Sequence, residues 1–320
     1  MKLNVLRALL CIALFVPALA LAQAYPSRPV KVLVPYPAGG STDGIARIIS
    51  DSLSRSLNQQ FVVENRPGAG GAISAEIVAK APADGYTLYV AAQGVMAILP
   101  HIQKVNFDTF KDFVPISSLG TNPFVLAVHH SIEVKTLKEF IDLVRRRPGK
   151  LAYASGGNGS VSHLAAAMLV ARAGLDMTHV PYKGGAPAVA DLVAGQVQMY
   201  VATPADVAPH AKTGRITLLG VSSEKRDRKL PDVPAIAETL PGFNTVTWNG
   251  LMAPVGTPPA IIERLSAECQ TAMRDPVAIE RLVKIGVDAY GSTAAEFAAA
   301  IRKDFEMYRE AVKATGLTPG

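Results

Sequence analysis

Several residue types are scarce in this 320-residue chain. It carries 2 cysteines, 1 tryptophan and 6 histidines; 6% of it is aromatic and only 18% is charged. Two cysteines exclude a disulfide-stapled scaffold. The formal charge of +6 is small, and no Lys/Arg-rich stripe accompanies it, which argues against a nucleic-acid partner. Beyond the N-terminus no apolar run is long enough to span a bilayer, so the rest of the chain is expected to be soluble. What is plentiful is apolar residue, 49% of the total with a mean hydropathy of +0.23. Such a chain has ample surface to bury and does not read as disordered or fibrous.

Part of that hydrophobicity belongs to residues 1–24. Lys2 and Arg7 precede an apolar run over 8–21, followed by Ala22, Gln23 and Ala24. This is the pattern of a secretory signal peptide with a small-residue cleavage site after Ala24. Pro17 and the shortness of the run argue against a membrane anchor. Cys11 sits inside the apolar region after Leu9 and Leu10, which argues against a lipoprotein. Processing would leave 296 residues at +4, because Lys2 and Arg7 depart with the leader. Cys269 would then be the one thiol. Its helical spacing with Ile262, Leu265 and Met273 places it on an apolar face, as an inert core residue. The length suggests roughly two domains.

Short strand-like runs lie at 30–36, 60–64, 87–93, 124–128, 151–154, 177–182, 197–202, 216–221 and 245–252. Amphipathic stretches separate them, for example Ile45, Ile48, Ile49, Leu53 and Leu57 at helical period. Alternation of this kind points to an α/β fold with parallel strands. Thr136 with Glu139 and Thr293 with Glu296 read as capping boxes, and Thr257 before Pro258 and Pro259 as another helix start. The last helix presents Phe297, Ile301, Phe305, Tyr308 and Val312 on one face and should end at Gly316.

Glycine collects where strand-like runs end and helical patterns begin, at 35–43, 66–71, 155–162 and 181–187. Glycine permits tight turns and close approach of a ligand to the main chain. The helix that follows offers unpaired N–H groups and the positive end of its dipole, a setting for an anion. A nucleotide reading fails in detail. Ile73 stands where a dinucleotide fingerprint needs its third small residue, and no Gly-Lys-Ser/Thr loop occurs. Hydroxyls, amides and one cation, Lys183, suit a carboxylate of modest charge. Asp43 reads either as a ligand acceptor or as a first-turn acid paired with Arg47 at i+4, and Lys183 either as a carboxylate partner or as an exposed lysine.

These residues, in order across the whole mature chain, resemble the Bug-type substrate-binding proteins of tripartite tricarboxylate transporters. The resemblance rests on 35–47, 64–71, 84–88, 153–163, 179–185, 230–234 and 248–258. It implies a two-lobed type II periplasmic binding protein with a ligand cleft between lobes, one lobe formed by 25–124 and 248–320 and the other by 125–247. It implies ligand contacts from Tyr36, Pro37, Ala38, Gly39, Gly40, Ser41, Thr42, Asp43 and Gln93 on one side. Opposite stand Ser155, Gly156, Asn158, Gly159, Ser160 and His163, then Tyr182, Lys183 and Gly184, and finally Thr203 and Asp206. Gln93 with Gly94, and 202–206, depart from the commoner family pattern and leave the ligand's identity open. The expected ligand is a small organic carboxylate, the expected partners are the transporter's membrane subunits, and a monomer without cofactor or metal is expected.

Other classes compete. Ser155, Ser160 and Ser162 near His163 raise a hydrolase, but no Gly-x-Ser-x-Gly elbow is present. His129 and His130 are adjacent, so in a strand they would face opposite ways and could not share a metal. A periplasmic sensor or adaptor for two-component signalling needs the same closed, liganded shape as a transport receptor.

Overall fold

The computed structural model describes residues 25–182 and 184–314. The expected signal segment, Lys183 and the proposed helix end at Gly316 lie outside the described residues.

The chain begins β1 (Val30–Val34), α1 (Ser41–Leu57), β2 (Phe61–Asn65), α2 (Ala72–Ala79) and β3 (Thr87–Ala92). A π-turn (Gly94–Ile98), α3 (Leu99–Ile102) and β4 (Phe113–Asn122) follow. Next come β5 (Val125–His129), α4 (Leu137–Arg146), β6 (Ala152–Ser155), α5 (Val161–Arg172), β7 (Thr178–Pro181), α6 (Gly185–Val193), β8 (Met199–Ala202), α7 (Pro204–Lys212) and β9 (Ile216–Val221). The chain then returns through β10 (Thr247–Pro254), α8 (Pro259–Ala272), α9 (Pro276–Lys284), β11 (Asp288–Ala289) and α10 (Ala294–Ala314).

Two sheets result, with orders β2-β1-β3-β10-β4-β11 and β7-β6-β8-β5-β9. Both share one plan. β1 pairs in parallel with β2 and β3, and β6 with β7 and β8, while a single antiparallel strand, β10 or β5, is inserted beside the third. This repeated order is the type II arrangement, and the fold is the two-lobed α/β one expected. β1 reads Val-Lys-Val-Leu-Val with four of five side chains buried, because helices cover both faces of a parallel sheet. The apolar stripe of α1 packs on it, with Ile45, Ile49 and Leu53 almost fully buried beside Cys269. Burial pushes the Cys269 thiol far up, so it is inert.

Besides the two-residue β11, one long strand lies outside the expected runs. β4 is ten residues long and pairs with both β10 and β11. Its Pro, Ser and Gly content disguises it, since Pro115 cannot donate to a ladder. The structure accommodates that proline beside a register shift between Leu251 and Met252 of β10. His129 and His130 also differ from expectation. The strand ends at His129 and a 3-10 turn brings the next ring back, so the two rings lie 4.3 Å apart. Of the two expected capping boxes, one is complete and the other half-formed. At Thr293 and Glu296 the exchange is reciprocal, whereas the Glu139 carboxylate accepts from Lys135 N–H, one residue before its Thr136.

The sheets are joined by two crossing segments that bond to each other. Ser222, fully buried, donates its hydroxyl to Thr245 O and accepts from Phe124 N–H, while its own N–H donates to Phe124 O. α10 adds a third link. Phe297 and Ile301 pack on the first sheet, whereas Tyr308 and Val312 join Leu164 of α5 in a separate buried cluster.

Candidate functional site

The glycine-rich turns all sit at the carboxyl ends of parallel strands, where α/β sheets place their ligands. In the first lobe, β1 leads through residues 35–40 into α1. Gly39 adopts φ +94°, open to glycine, and Gly40 caps the helix with extended backbone and no side-chain bond. No acceptor among the described residues takes the N–H groups of Ser41 and Thr42. A 17-residue helix therefore points its unpaired donors and positive dipole end at an exposed turn made of Pro37, Ala38, Gly39, Gly40 and Ser41.

Asp43 holds that turn in shape. Its carboxylate accepts from Gly39 N–H (3.0 Å), Arg47 Nε (2.9 Å) and Asn65 Nδ2 (3.0 Å), and Asn65 also donates to Tyr36 O. Burial alone would raise its carboxyl, but the bonds from Arg47, Gly39 and Asn65 outweigh it and hold the group below its ordinary range. Asp43 is thus a clasp for the turn, occupied by the protein's own donors. Asp43→Ala would remove the acceptor shared by Gly39, Arg47 and Asn65, of which only Asn65 is half-buried, at a cost of about 1–3 kcal/mol in all. Urea unfolding should show a loss of that order; unchanged stability would refute the clasp. Thr42 is held in turn, its Oγ1 accepting from Asn249 Nδ2 of β10 at 3.1 Å.

The opposing turn, 155–160, is largely self-contained. Gly156 N–H bonds Ser162 Oγ, Gly157 N–H bonds Ser155 Oγ, and Gly159 N–H bonds His163 Nδ1 at 3.1 Å. The amides expected to face a ligand here are therefore spent on neighbouring side chains, leaving Asn158 as the exposed side chain of the turn. Ser160 also caps α5 through His163 N–H. Ser155, fully buried, pairs with His179 Nε2 at 2.7 Å.

His163 and His179 stack at 3.8 Å, with Tyr153 beyond. Burial, followed by its charged-state repulsion with His179, lowers His163 to about 4 from an ordinary 6.5. The unfolded chain protonates first, so this pair's contribution is present above pH 6.5 and lost as pH falls toward 4. Folding stability should decline by roughly 2–3 kcal/mol across that window from this ring alone, at about 1.4 kcal/mol per unit. His163→Asn should flatten the pH profile of urea midpoints; an unaltered profile would refute the assignment.

Gly184, at φ +108°, donates to Gly156 O and ties the 182–185 turn to the 155–160 turn. The Tyr182 hydroxyl, pushed up to about 12 by burial first and by this bond second, donates to Asp191 at 2.7 Å. Thr203 and Asp206, both exposed, open α7. Beside them stands Tyr200, absent from the sequence-based set; it marks itself only as a tyrosine near the end of a buried strand.

Gln93 is placed differently. It is 1% exposed, and its amide donates to Asp304 Oδ2 (2.6 Å) and Val246 O (3.0 Å) while its Oε1 accepts from Tyr308. Trp248 Nε1 donates to the same Asp304 oxygen at 2.7 Å. Gln93 therefore ties β3 to the crossing segment and α10, and turns away from the turns. Gly94 does sit between the lobes: a Cβ there would lie 3.5 Å from the Tyr36 hydroxyl and 3.9 Å from Val161. A Cβ at buried Gly159 would likewise overlap Ile102, so the 155–160 turn packs against α3. An open hollow of about 800 Å³ elsewhere, lined by Thr121, Lys225, Arg226, Arg228 and Asn244, includes none of these turns.

The model of the tripartite tricarboxylate transporter family receptor matches residues 45–317. The chain belongs to that family. This receptor is 40% identical over 292 residues to a protein encoded in the tcbD–tcbE intergenic region of Pseudomonas sp. strain P51, covering 91% of this chain and 87% of the relative. Among solved structures, Rpa4515 of R. palustris with adipate superposes at a TM-score of 0.76 and 32% identity, over 92% of this chain and all of that one. The periplasmic binding protein BugD superposes at 0.72 and 31%, with the same coverage. The receptor's family is one of solute-binding proteins, members of which are periplasmic, rather than of enzymes.

Proposed function

We propose that this receptor captures a small organic carboxylate in the crevice between its lobes, closes over it, and presents it to the membrane subunits of a tripartite tricarboxylate transporter. The observation that carries the ligand class is the uncapped start of α1: free Ser41 and Thr42 N–H groups behind a glycine turn that Asp43 keeps in shape. A carboxylate placed there gains charge-assisted hydrogen bonds and the helix dipole without needing a cationic side chain. The adipate complex of the R. palustris relative supports the same class.

The division into lobes runs 25–124 with 248–320 against 125–247, with the hinge at the Ser222–Phe124 crossing. A ligand touching both lobes favours closure by its differential affinity for the closed form. The protein works as a periplasmic monomer after removal of residues 1–24. The test is a thermal-shift panel of aliphatic di- and tricarboxylates, aromatic acids, amino acids, sugars and inorganic cations. Carboxylates alone are expected to raise the midpoint; a response only to sugars or cations would overturn the reading.

A further inference from the structure

Resting on the reading of a receptor that closes over its ligand, we infer that Lys229 and Asp288 form a latch behind the hinge, which opposes closure and lowers the affinity for every ligand alike. Sheet order places the latch. In the first sheet the crossing strands β10 and β4 separate β1 and β3, which lead into the turns at 35–40 and Gly94, from β11 at the edge. In the second sheet β5 and β9 carry the crossings, with β6 and β8 on the crevice side. The hollow of about 800 Å³ lies on the other side, walled by Ser223, Arg228 and Asn244 from one lobe and by Thr121, Val283 and Asp288 from the other.

One charged contact spans this hollow. Lys229 Nζ lies 3.0 Å from Asp288 Oδ2 and 3.4 Å from Gly286 O, and among the described residues it makes the one ion pair that joins the two lobes. Both ends are anchored. The buried Asp227 side chain accepts from Lys229 N–H at 2.8 Å, and the adjacent Arg226 grips Glu238 with two bonds of 2.8 and 2.9 Å. On the other side Asn122 Nδ2 holds Gly286 O at 2.8 Å, and Asp288 pairs with Thr121 of β4. With the backbone fixed at each end, the separation of the pair tracks the angle between the lobes.

The crevice itself stands open. Residues 37–41 on one wall and Asn158, Thr203 and Asp206 on the other are exposed. Bringing these walls together rotates the lobes about the crossings, and a rotation that narrows one side of a hinge widens the other. β11 stands two strands out from β10, about 10 Å at the usual strand spacing, which gives a lever long enough to part Lys229 from Asp288. Their attraction weakens as they separate, and that loss opposes closure whichever ligand drives it. The side chains are 31% and 42% exposed, so the effect is modest in size.

Two measurements test the latch: calorimetric titration with adipate, malate and citrate, and pulsed spin-label distances across the crevice of the unliganded receptor. Labels at Arg66→Cys and Ala190→Cys, exposed on opposite lobes, report closure without interference from buried Cys269. Lys229→Gln should bind each acid about two- to fivefold more tightly than the wild type, the range of a partly exposed ion pair. Lys229→Glu, which sets like charges face to face, should gain at least as much and shorten the unliganded distance. Adding Asp288→Lys to it should restore the wild-type values. Unchanged or weakened affinities, a gain confined to one acid, or a charge swap as tight as Lys229→Glu overturns the latch while the carboxylate reading stands. If the wild type binds none of the three acids, the carboxylate reading falls and the label distances decide the latch: a shorter distance in Lys229→Glu upholds it, and an unchanged one overturns it.

Discussion

A Gly40→Val receptor is expected to fold as the wild type does and to lose carboxylate binding. The backbone at Gly40, φ −80° and ψ 171°, is extended and suits a β-branched residue. A Cβ there meets only Pro37 O, at 4.0 Å. The fold therefore has no quarrel with valine. The branched methyls project into the space in front of the Ser41 and Thr42 N–H groups, where the anion must sit. Hydrogen bonds to charged groups contribute about 1.5–3 kcal/mol each, so losing two should weaken binding by at least about 100-fold. Titration of the purified variant with the strongest ligand of the panel, beside its unfolding curve, reads both halves of the prediction. A folded variant with undiminished affinity would remove the site from the start of α1.

The largest effect on stability is expected from a single methyl at Gly250. A Cβ there would fall 2.1 Å from Phe297 Cζ and 2.4 Å from Cε1. Phe297 is 1% exposed and meets the Trp248 ring edge-on at 5.0 Å, so it cannot swing aside cheaply. Nor can the backbone retreat, because Gly250 pairs with Ala91 on one side and Ser118 on the other. Ordinary overpacking costs about 1–3 kcal/mol, and this overlap on a rigid ring in a central strand should reach or exceed the upper end. Chemical denaturation of Gly250→Ala should show it. A wild-type midpoint would mean that β10 and α10 are less tightly packed than described. The variant's consequence for binding is indirect: β10 also carries Asn249, which holds Thr42 at the start of α1.

The layers of the fold were legible wherever one residue type had to serve one purpose. Runs of Val and Leu at β1, β3 and β9 marked strands buried on both faces, and Ile45, Ile49 and Leu53 marked the helix that covers them. β4 escaped because its pairing strands lie far along the chain and its own composition argues against a strand. The glycine turns were legible for the same reason that they are needed: only glycine adopts the backbone of Gly39 and Gly184 comfortably. The roles of polar side chains were less so. Gln93 follows a strand at a cleft-like position, but its partner Asp304 is 211 residues away, and no local pattern announces such a bond. The spent amides of 155–160 were hidden likewise, since glycine content does not reveal which donors Ser155, Ser162 and His163 already satisfy.

The helix α10 has a consequence for the thermodynamics of capture. Two crossing segments alone would let the lobes bend and twist about several axes. α10 grips the first sheet through Phe297 and the second lobe's α5 through Tyr308 and Val312, and its Asp304 is tied through Gln93 to Val246 of the crossing itself, a bracing that should restrict those freedoms. A joint braced at three places is expected to bend along few directions. The unliganded receptor then samples few arrangements, the ligand has little disorder to suppress on closing it, and more of each hydrogen bond formed in the crevice survives as affinity.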